Sequence, residues 1–315
     1  YYASRGLGDV YKRQAVEYMY EKGICDVDFV ICNTDYQALR NSPIPCKIQL
    51  GKELTAGHGA GNNPAMGEKS AQESLADIEA ILKKDTRMAF ITAAMGGGTG
   101  TGAAPVIARL SKDMGILTVG IVSVPARFEG PKRLDQARDG LRRLKDHVDC
   151  LIVIDNEKIK SIYGSQTISQ AFAKANDVLN IAAKGIAEII TLPGYINVDF
   201  ADVRTVMTDS GVAIMGAAQA SGEDRAIRAI TEALESPLLN NNDILGAKDI
   251  LLNITSGTDE ITMDEMSQIT SHIIRKVGNN AAVIWGVGTD PDLGDAVSVT
   301  IIATGFPTGD IELFG

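Results

Sequence analysis

Short runs of apolar residues recur along the first half of the chain, and stretches of amphipathic pattern separate them. The apolar runs have strand length and are rich in β-branched residues; they cover residues 27–33, 88–94, 116–124 and 150–154. The stretches between them repeat apolar residues at helical spacing, as at residues 67–83, 103–114 and 130–145. Alternating strands and helices predict right-handed crossovers and a mostly parallel sheet.

The pattern changes after a long helical stretch at residues 168–191. Beyond it, helical patterns cover residues 224–234 and 263–276, and strand-like runs cover residues 250–255, 281–287 and 296–304. The sequence therefore predicts an α/β fold with a Rossmann-like, mostly parallel domain at 15–167, a connecting helix at 168–191 and a smaller α/β C-terminal domain at 192–307. Residues 308–315 would begin a tail, and residues 1–14 fit neither domain.

Composition limits the partners of such a fold. The 315 residues carry 30 Lys and Arg against 40 Asp and Glu, a formal net charge of −10. Nucleic acid and anionic membranes bind basic surfaces, so neither is an expected partner. No apolar run is long enough to span a bilayer, and the first residues lack a secretory pattern. We expect a cytoplasmic protein whose four cysteines, which lack metal-ligand spacing, are buried free thiols.

Glycines cluster at residues 96, 97, 98, 100 and 102, between the apolar run 88–94 and the helical pattern 103–114. Glycine weakens both helices and strands, so the cluster indicates a loop that must approach something closely. A strand, a glycine loop and a helix in this order present backbone N–H groups and a helix N-terminus to a phosphate. The cluster therefore predicts a phosphate-binding loop; the alternative is a tight turn that only allows close packing.

The sequence around the loop narrows the kind of phosphate ligand. It has no Walker lysine, and no acidic residue ends a strand about 20 residues later, as a dinucleotide-binding domain requires. The stretch GGGTGTG instead follows the pattern GGGTG[ST]G of tubulin-like GTPases. From residue 15 to residue 306 the chain resembles the tubulin/FtsZ family, in particular its bacterial cell-division members. The resemblance is carried by stretches such as DFVICNTDYQAL, LTAGHGAGNNPAMG, FEGPKR, AFAKANDVL and PGYINVDFADVRTVM.

This resemblance implies a GTPase that converts GTP to GDP and phosphate and polymerises head to tail into filaments of the bacterial division ring. Hydrolysis would take place at a composite site between subunits, so assembly would activate it. Mg²⁺ would be bound through the nucleotide phosphates and not by a metal site of the protein. Membrane-anchoring partners would bind a terminal tail beyond the matched residues. The expected location is the cytoplasm at the mid-cell division site.

Several residues of the first domain would hold the phosphates and the ribose. The loop at 56–63 would be a second phosphate-side loop, unless it is an ordinary surface loop. Glu129 suits the ribose hydroxyls and Arg133 the phosphate oxygens, unless the two only form an ion pair on one helix face. Asn156, at a strand end, would contact the ribose. In the glycine loop the phosphate contacts are expected from Gly96, Gly97, Gly98, Thr99 and Gly100, with the Thr99 and Thr101 hydroxyls as further donors.

Phe172 and Asn176 are four residues apart and therefore share one face of the predicted connecting helix. A ring that packs on a purine, beside an amide that hydrogen-bonds its edge, would form a guanine pocket. The resemblance places the guanine contact on Asn176 rather than on Asp177. The alternative is a core phenylalanine next to a surface asparagine.

Asp199 and Asp202 are three residues apart near a helix start, which puts both carboxylates on one face. Two acids repel phosphate, but together with Asn197 they suit the orientation of a water for attack on it. In the family the equivalent loop reaches into the nucleotide pocket of the next subunit, so these three are the predicted catalytic residues. The alternative for Asp199 is a helix N-cap.

Two other interpretations of the whole chain stay open. One is a GTP-binding filament or scaffold subunit that does not hydrolyse GTP; the other is a nucleotide-dependent oxidoreductase. Residues 1–14 also depart from the family, because YYASRGLGDVYKRQ lacks the expected opening strand and glycine loop. We interpret this stretch as foreign sequence and expect the chain as written to bind nucleotide weakly.

Asn176 and the glycine loop predict a preference for guanine over adenine nucleotides. A base with the wrong hydrogen-bonding pattern leaves buried polar groups unpaired, at a cost of about 1–3 kcal/mol for each group. In a direct titration GTP should therefore bind about tenfold or more tightly than ATP. Equal affinities would contradict the family assignment.

Overall fold

The computed structural model describes residues 2–3, 16–17, 20, 27–83, 85–163, 165–167, 170, 183–187, 189, 194–196, 198–235, 244–278 and 281–306. The chain divides into two compact units, one from residues 1–180 and one from residues 181–313. Most of the predicted connecting helix lies outside the described residues, although residues 183–187 and 189 are helical.

The first unit is a mostly parallel α/β arrangement, as predicted. Its strands are β1 (Tyr2–Ala3), β2 (Val30–Asn33), β3 (Cys46–Gln49), β4 (Met88–Ala94), β5 (Leu117–Val124) and β6 (Cys150–Asp155). Its helices are α1 (Tyr36–Arg40), α2 (Lys52–Thr55), α3 (Pro64–Glu73), α4 (Leu75–Leu82), α5 (Thr99–Asp113), α6 (Pro131–Lys145) and α7 (Asn156–Tyr163). β4 pairs in parallel with β1 and β5, and β5 with β6; β2 pairs in parallel with β3. Every residue of β5 is buried, as expected for a central parallel strand covered on both faces.

The second unit is the predicted smaller α/β domain, built on a mixed sheet. Its strands are β7 (Gly194–Ile196), β8 (Gly211–Ala220), β9 (Asp249–Ser256), β10 (Ala282–Thr289) and β11 (Val297–Thr304). Its described helices of α type are α8 (Phe200–Met207), α9 (Arg225–Leu234) and α10 (Met263–Val277). β9 and β10 are parallel, whereas β11 pairs antiparallel with β8 and β9, and β7 antiparallel with β10. The apolar pattern did not predict β8, because its sequence GVAIMGAAQA is rich in small residues of weak strand preference.

The predicted helix at 67–83 is in fact two helices, α3 and α4, which meet at Ser74. The Ser74 hydroxyl accepts a hydrogen bond from the Gly51 N–H (3.1 Å) and donates one to the Gln49 carbonyl (3.3 Å). These bonds tie the junction to the end of β3. They involve residues distant in sequence, so the helical periodicity did not reveal the break.

β1 also differs from the prediction, since we expected no strand within residues 1–14. Tyr2 pairs with Thr92 and Ala3 with Ala93 of β4. Strand pairing uses backbone N–H and C=O groups, so it does not require the apolar pattern that this stretch lacks.

α5 begins at Thr99, inside the glycine cluster, although the helix was predicted to start at residue 103. Gly100 and Gly102 are therefore helical against their propensity. Close packing explains this: a Cβ on Gly102 would overlap the Pro64 carbonyl oxygen and lie 2.6 Å from the Glu68 nitrogen. The close-packing alternative for the glycine cluster is thus correct for Gly102, which allows α5 to contact α3.

Pro105 lies inside α5 and has no N–H to donate to the carbonyl of Thr101. Arg143 of α6 replaces that bond, because its Nη2 donates to the Thr101 carbonyl at 3.3 Å. Its Nη1 donates to the Glu68 carboxylate of α3 at 2.7 Å. One guanidinium therefore joins α3, α5 and α6 at the beginning of α5.

Two results concern the expected class of protein. No helix within the described residues is long and apolar enough to cross a membrane. Cys32, Cys46 and Cys150 form no disulfide; Cys32 and Cys150 are buried, and Cys46 is partly exposed. Cys25 lies outside the described residues.

Gly102→Ala should lower the free energy of unfolding by roughly 1–3 kcal/mol, because the added methyl group overlaps the backbone of α3. Gly288→Ala in β10 is the matched control, since a Cβ there meets no atom within 4 Å. The control should change stability by less than about 0.5 kcal/mol. Urea unfolding measures both variants, and equal losses would contradict the packing argument.

Candidate functional site

The loops that follow β4, β5 and β6 lie at one edge of the sheet. Ala94 pairs with Ser123, and Val124 pairs with Asp155, so the three parallel strands end at nearly the same level. β4 leads into α5, β5 into the 3₁₀ turn Arg127–Glu129, and β6 directly into α7. The carboxyl edge of a parallel sheet is where open α/β folds bind their ligands.

The glycine loop is closed by a bond of its own. Gly96 has a φ angle of 94°, which side-chain-bearing residues rarely adopt, and its N–H donates to the Thr101 Oγ1 at 2.9 Å. The Gly96 amide and the Thr101 hydroxyl, both expected to contact phosphate, are therefore bonded to each other in this structure.

The first turn of α5 leaves backbone donors available. A helix start leaves its first four N–H groups without intrahelical acceptors, here those of Gly98, Thr99, Gly100 and Thr101. Within the described part of the chain, no side chain caps this end. Several N–H groups and the positive end of the helix dipole therefore coincide at the carboxyl edge, and this combination fits a phosphate.

Thr34, which was not among the predicted site residues, ties the loops together. Its hydroxyl shares a buried hydrogen bond of 2.8 Å with that of Thr99. Its carbonyl accepts bonds from the Thr55 hydroxyl and the Gly59 N–H, both at 3.3 Å. The predicted second phosphate-side loop, 56–63, is thereby held beside the glycine loop. The only signal in the sequence was a polar residue directly after a strand, which many loops share.

Glu129 and Arg133 lie beside the glycine loop and bind each other. The Glu129 carboxylate accepts the Ala126 N–H at 3.0 Å and Arg133 Nη1 at 2.9 Å. Glu129 and Arg133 therefore form the ion pair that was the alternative interpretation. The pair is not fully solvated, because the Glu129 side chain is only 7% exposed. A Cβ on Gly96 would lie 2.9 Å from the Arg133 carbonyl oxygen, which shows how closely the first turn of α6 approaches the glycine loop.

Asn156 begins α7 and is buried at the end of β6. The next residue, Glu157, accepts the Arg127 N–H at 2.8 Å, and this bond lowers the pKa of the Glu157 carboxyl. The Asp155 carboxylate accepts the Glu157 N–H at 2.8 Å, but burial dominates and raises the pKa of Asp155. Asn156 thus lies at the carboxyl edge between Asp155 and Glu157, whose carboxylates each accept a backbone hydrogen bond. Phe172 and Asn176 lie outside the described residues.

The predicted catalytic acids belong to the second unit. The Asp199 Oδ1 accepts the Asp202 N–H at 2.9 Å and caps the start of α8. Asp199 is therefore a helix N-cap, as the alternative interpretation had it, and the cap bond uses one of its two carboxylate oxygens. Asp199 is exposed and Asp202 is partly exposed. Asn197 lies outside the described residues.

Two family models match most of the chain. The model described as the Tubulin/FtsZ family GTPase domain matches residues 8–164, and that of the FtsZ family C-terminal domain matches residues 211–307. The chain belongs to the tubulin/FtsZ family. The first match begins at residue 8, so the likeness extends into the stretch 1–14 to which the sequence analysis assigned none.

Individual relatives and a solved structure that are similar to this chain come from the same family. The cell division protein FtsZ of Porphyromonas gingivalis is 49% identical over 294 residues, which cover 93% of this chain and 64% of the relative. That of Buchnera aphidicola is 48% identical over 295 residues, which cover 93% of this chain and 76% of the relative. A solved FtsZ dimer of M. jannaschii is 40% identical, with a TM-score of 0.90 over 99% of this chain and 89% of that chain. The predicted tubulin/FtsZ-like fold is confirmed.

The matched family model is that of a GTPase domain, and the carboxyl edge offers groups that suit the phosphates of a nucleotide. The uncapped start of α5 supplies donors for phosphate oxygens, and Arg133 supplies a positive charge beside the glycine loop. Among the described residues, no group of three or more His, Cys, Asp or Glu side chains is placed to hold a metal ion.

In the second unit of this family member, Arg225 is a centre that the sequence analysis did not identify. The residue is 5% exposed, and its guanidinium bonds the Glu265 carboxylate at 2.7 and 3.2 Å and the Asp259 carboxylate at 2.8 Å. It also donates to the carbonyls of Asp259, Glu260 and Asp295, at 3.0, 3.0 and 2.7 Å. These bonds fix the loop between β9 and α10 and the loop before β11. The available signal was a cation at a helix N-terminus, where the helix dipole disfavours it.

The Arg225 guanidinium lowers the pKa of Glu265 from 4.5 to about 2. A lowered pKa in the folded state stabilises the fold above about pH 4.5, and this contribution is lost as the pH falls toward 2. The loss amounts to at most about 3 kcal/mol. Glu265→Gln cannot titrate, so the stability difference between wild type and variant should shrink as the pH falls through this window.

Urea unfolding at a series of pH values measures that difference. Glu232→Gln, at an exposed position of α9, is the control, and its stability should keep the pH dependence of the wild type. A constant difference between wild type and Glu265→Gln across the window would contradict the role assigned to Arg225.

Proposed function

We propose that this chain binds and hydrolyses GTP and polymerises head to tail as a subunit of bacterial division filaments. The observation that carries the proposal is the uncapped start of α5 at the carboxyl edge of the first unit. The phosphate-binding start of α5 lies in the first unit, and the acid pair Asp199–Asp202 lies in the second. The relatives named cell division protein FtsZ, and the solved FtsZ dimer, support division and self-association as the function.

The nucleotide is proposed to bind along the carboxyl edge of β4, β5 and β6. The first turn of α5 would bind phosphate oxygens through the amides of Gly98, Thr99 and Gly100, with the Gly96–Gly97 backbone beside them. Arg133 would add a positive charge, since a guanidinium has five N–H groups and only one of those on Arg133 is bonded to Glu129. Glu129 and Asn156 would contact the ribose, and Phe172 and Asn176 the guanine.

The acids are proposed to act on the nucleotide of a neighbouring subunit. The cap bond from the Asp202 N–H holds the Asp199 carboxylate at the start of α8, and Asp202 lies in the first turn of that helix. The two acids would orient a water together with Asn197. Mg²⁺, bound through the phosphates, would supply positive charge that screens them from these acids. A site completed only by a second subunit makes turnover depend on assembly.

We further propose that the filaments form in the cytoplasm at mid-cell and that membrane anchors bind residues beyond 307. The proposed domain bounds remain 15–167 and 192–307, with the connecting helix at 168–191. These proposals follow from the family and from the sequence pattern.

Asp202→Ala should lower GTP turnover about a hundredfold or more while GTP affinity stays close to that of the wild type, because the acid would act only in hydrolysis. Asn176→Ala should instead lose GTP affinity. An equimolar mixture of the two variants should recover part of the activity, since some junctions combine an intact pocket with intact acids.

Phosphate release, measured over a range of protein concentrations, tests both expectations. Turnover per subunit should rise with concentration through the onset of assembly. Turnover that is independent of concentration, together with no recovery in the mixture, would mean that each subunit holds a complete site.

A further inference from the structure

Tyr195 lies at a bulge in β7. Ile196 pairs with Val287 and Gly194 pairs with Gly288 of β10. Two residues of β7 that are not adjacent thus oppose adjacent residues of β10, so Tyr195 is the additional residue. A bulge takes such a side chain out of the normal alternation and directs it elsewhere.

At two glycines near the bulge, Gly194 of β7 and Gly286 of β10, the structure leaves little room for a side chain. A Cβ on Gly194 would overlap the Val287 carbonyl oxygen. A Cβ on Gly286 would lie 3.1 Å from the Val198 side chain and 3.3 Å from the Ile196 carbonyl oxygen. Ile196 and Val198 therefore lie directly against β10.

The Tyr195 side chain is held by its hydroxyl group. The residue is 69% exposed, so burial of the ring does not explain its position. The hydroxyl donates to the Glu260 Oε1 at 2.8 Å. The bond to this carboxylate also raises the pKa of Tyr195, because it stabilises the protonated phenol.

Glu260 belongs to the loop that Arg225 fixes. The Glu260 carbonyl accepts Arg225 Nη2, and the preceding residue, Asp259, is bonded to Nη1 through both its carbonyl and its carboxylate. The Asp259 N–H also donates to the Gly294 carbonyl at 3.2 Å. Several hydrogen bonds thus hold the loop that contains Glu260, and Glu260 gives the Tyr195 hydroxyl an acceptor on a fixed backbone.

Only three residues separate Tyr195 from Asp199, the cap of α8. Among them, Val198 is buried. A displacement of Tyr195 would therefore have only a short length of chain to cross before it reached the acids at the start of α8.

We propose that Tyr195 and Glu260 are positioning residues for the acid pair Asp199–Asp202. The loop fixed by Arg225 holds Glu260, Glu260 holds the bulge through Tyr195, and the bulge sets where the acids lie. The part played in hydrolysis rests on the proposed function, whereas the mechanical coupling can be measured without GTP.

Amide hydrogen exchange of the GTP-free protein tests the coupling. Tyr195→Phe and Glu260→Leu each remove the hydrogen bond, so exchange in residues 194–203 should become about three- to tenfold faster. Glu260→Gln keeps an acceptor and should stay close to the wild type. The double variant Tyr195→Phe/Glu260→Leu should match the single variants, because both act through one bond.

Tyr36→Phe is the matched control, since Tyr36 is also exposed and the described residues give its hydroxyl no hydrogen bond. Its exchange in residues 194–203 should equal that of the wild type. Unchanged exchange in Tyr195→Phe, or additive effects in the double variant, would overturn the proposal.

GTP turnover per polymerised subunit tests the consequence for hydrolysis. Tyr195→Phe should lower it about three- to tenfold, with GTP affinity and polymer mass unchanged and with recovery in Glu260→Gln relative to Glu260→Leu. A fall in polymer mass would make Tyr195 a contact residue and overturn the positioning role. Asp202→Ala in the same assay separates a failure of the proposed function from a failure of the positioning role. Full turnover in Asp202→Ala refutes the proposed function, whereas its loss, together with normal turnover in Tyr195→Phe, refutes only the positioning role.

Discussion

The contact between the start of α5 and the segment before and within α3 is the constraint on which the nucleotide edge depends. A Cβ on Gly67 would lie 3.0 Å from the Thr99 Cα, and one on Gly98 would lie 2.7 Å from the Asn63 nitrogen. Because Gly67 and Gly98 carry no side chain, the start of α5 can pack against α3 and the residues before it. α5 can therefore begin close to the end of β4, with its first N–H groups at the carboxyl edge. The same glycines thus serve packing and, through the bare backbone that packing requires, the proposed phosphate site.

Polar bonds complete what close packing begins. The Thr34–Thr99 bond joins the end of β2 to α5, and the bond between Glu157 and the Arg127 N–H joins the start of α7 to the turn after β5. Arg143 satisfies the Thr101 carbonyl that Pro105 leaves without its helical donor. Each of these partners is distant in sequence, so the edge exists only once the sheet has brought the loops together.

The sequence predicted the elements whose signals are local. β4 was predicted with its observed bounds because a continuous apolar run ends at glycines, and the glycine loop, Glu129, Arg133 and Asn156 follow strands that end at one edge. The break at Ser74, the strand β8 and the roles of Thr34 and Arg225 depend on distant partners, which periodicity does not encode. The spacing of Asp199 and Asp202 predicted that they share one face. Their catalytic role came from the family resemblance and stays a proposal, as do the roles of Asn197, Phe172 and Asn176.

Arg225 has a consequence for how the second unit responds to stress. Its single guanidinium donates to three carbonyls and one carboxylate in two separate loops, and to the Glu265 carboxylate in the first turn of α10. A lysine ammonium has three donors and no planar fork, so it cannot reproduce this set of bonds. Neither loop can detach from Arg225 without also loosening the support of the other. Removal of the Arg225 guanidinium would therefore loosen both loops at once.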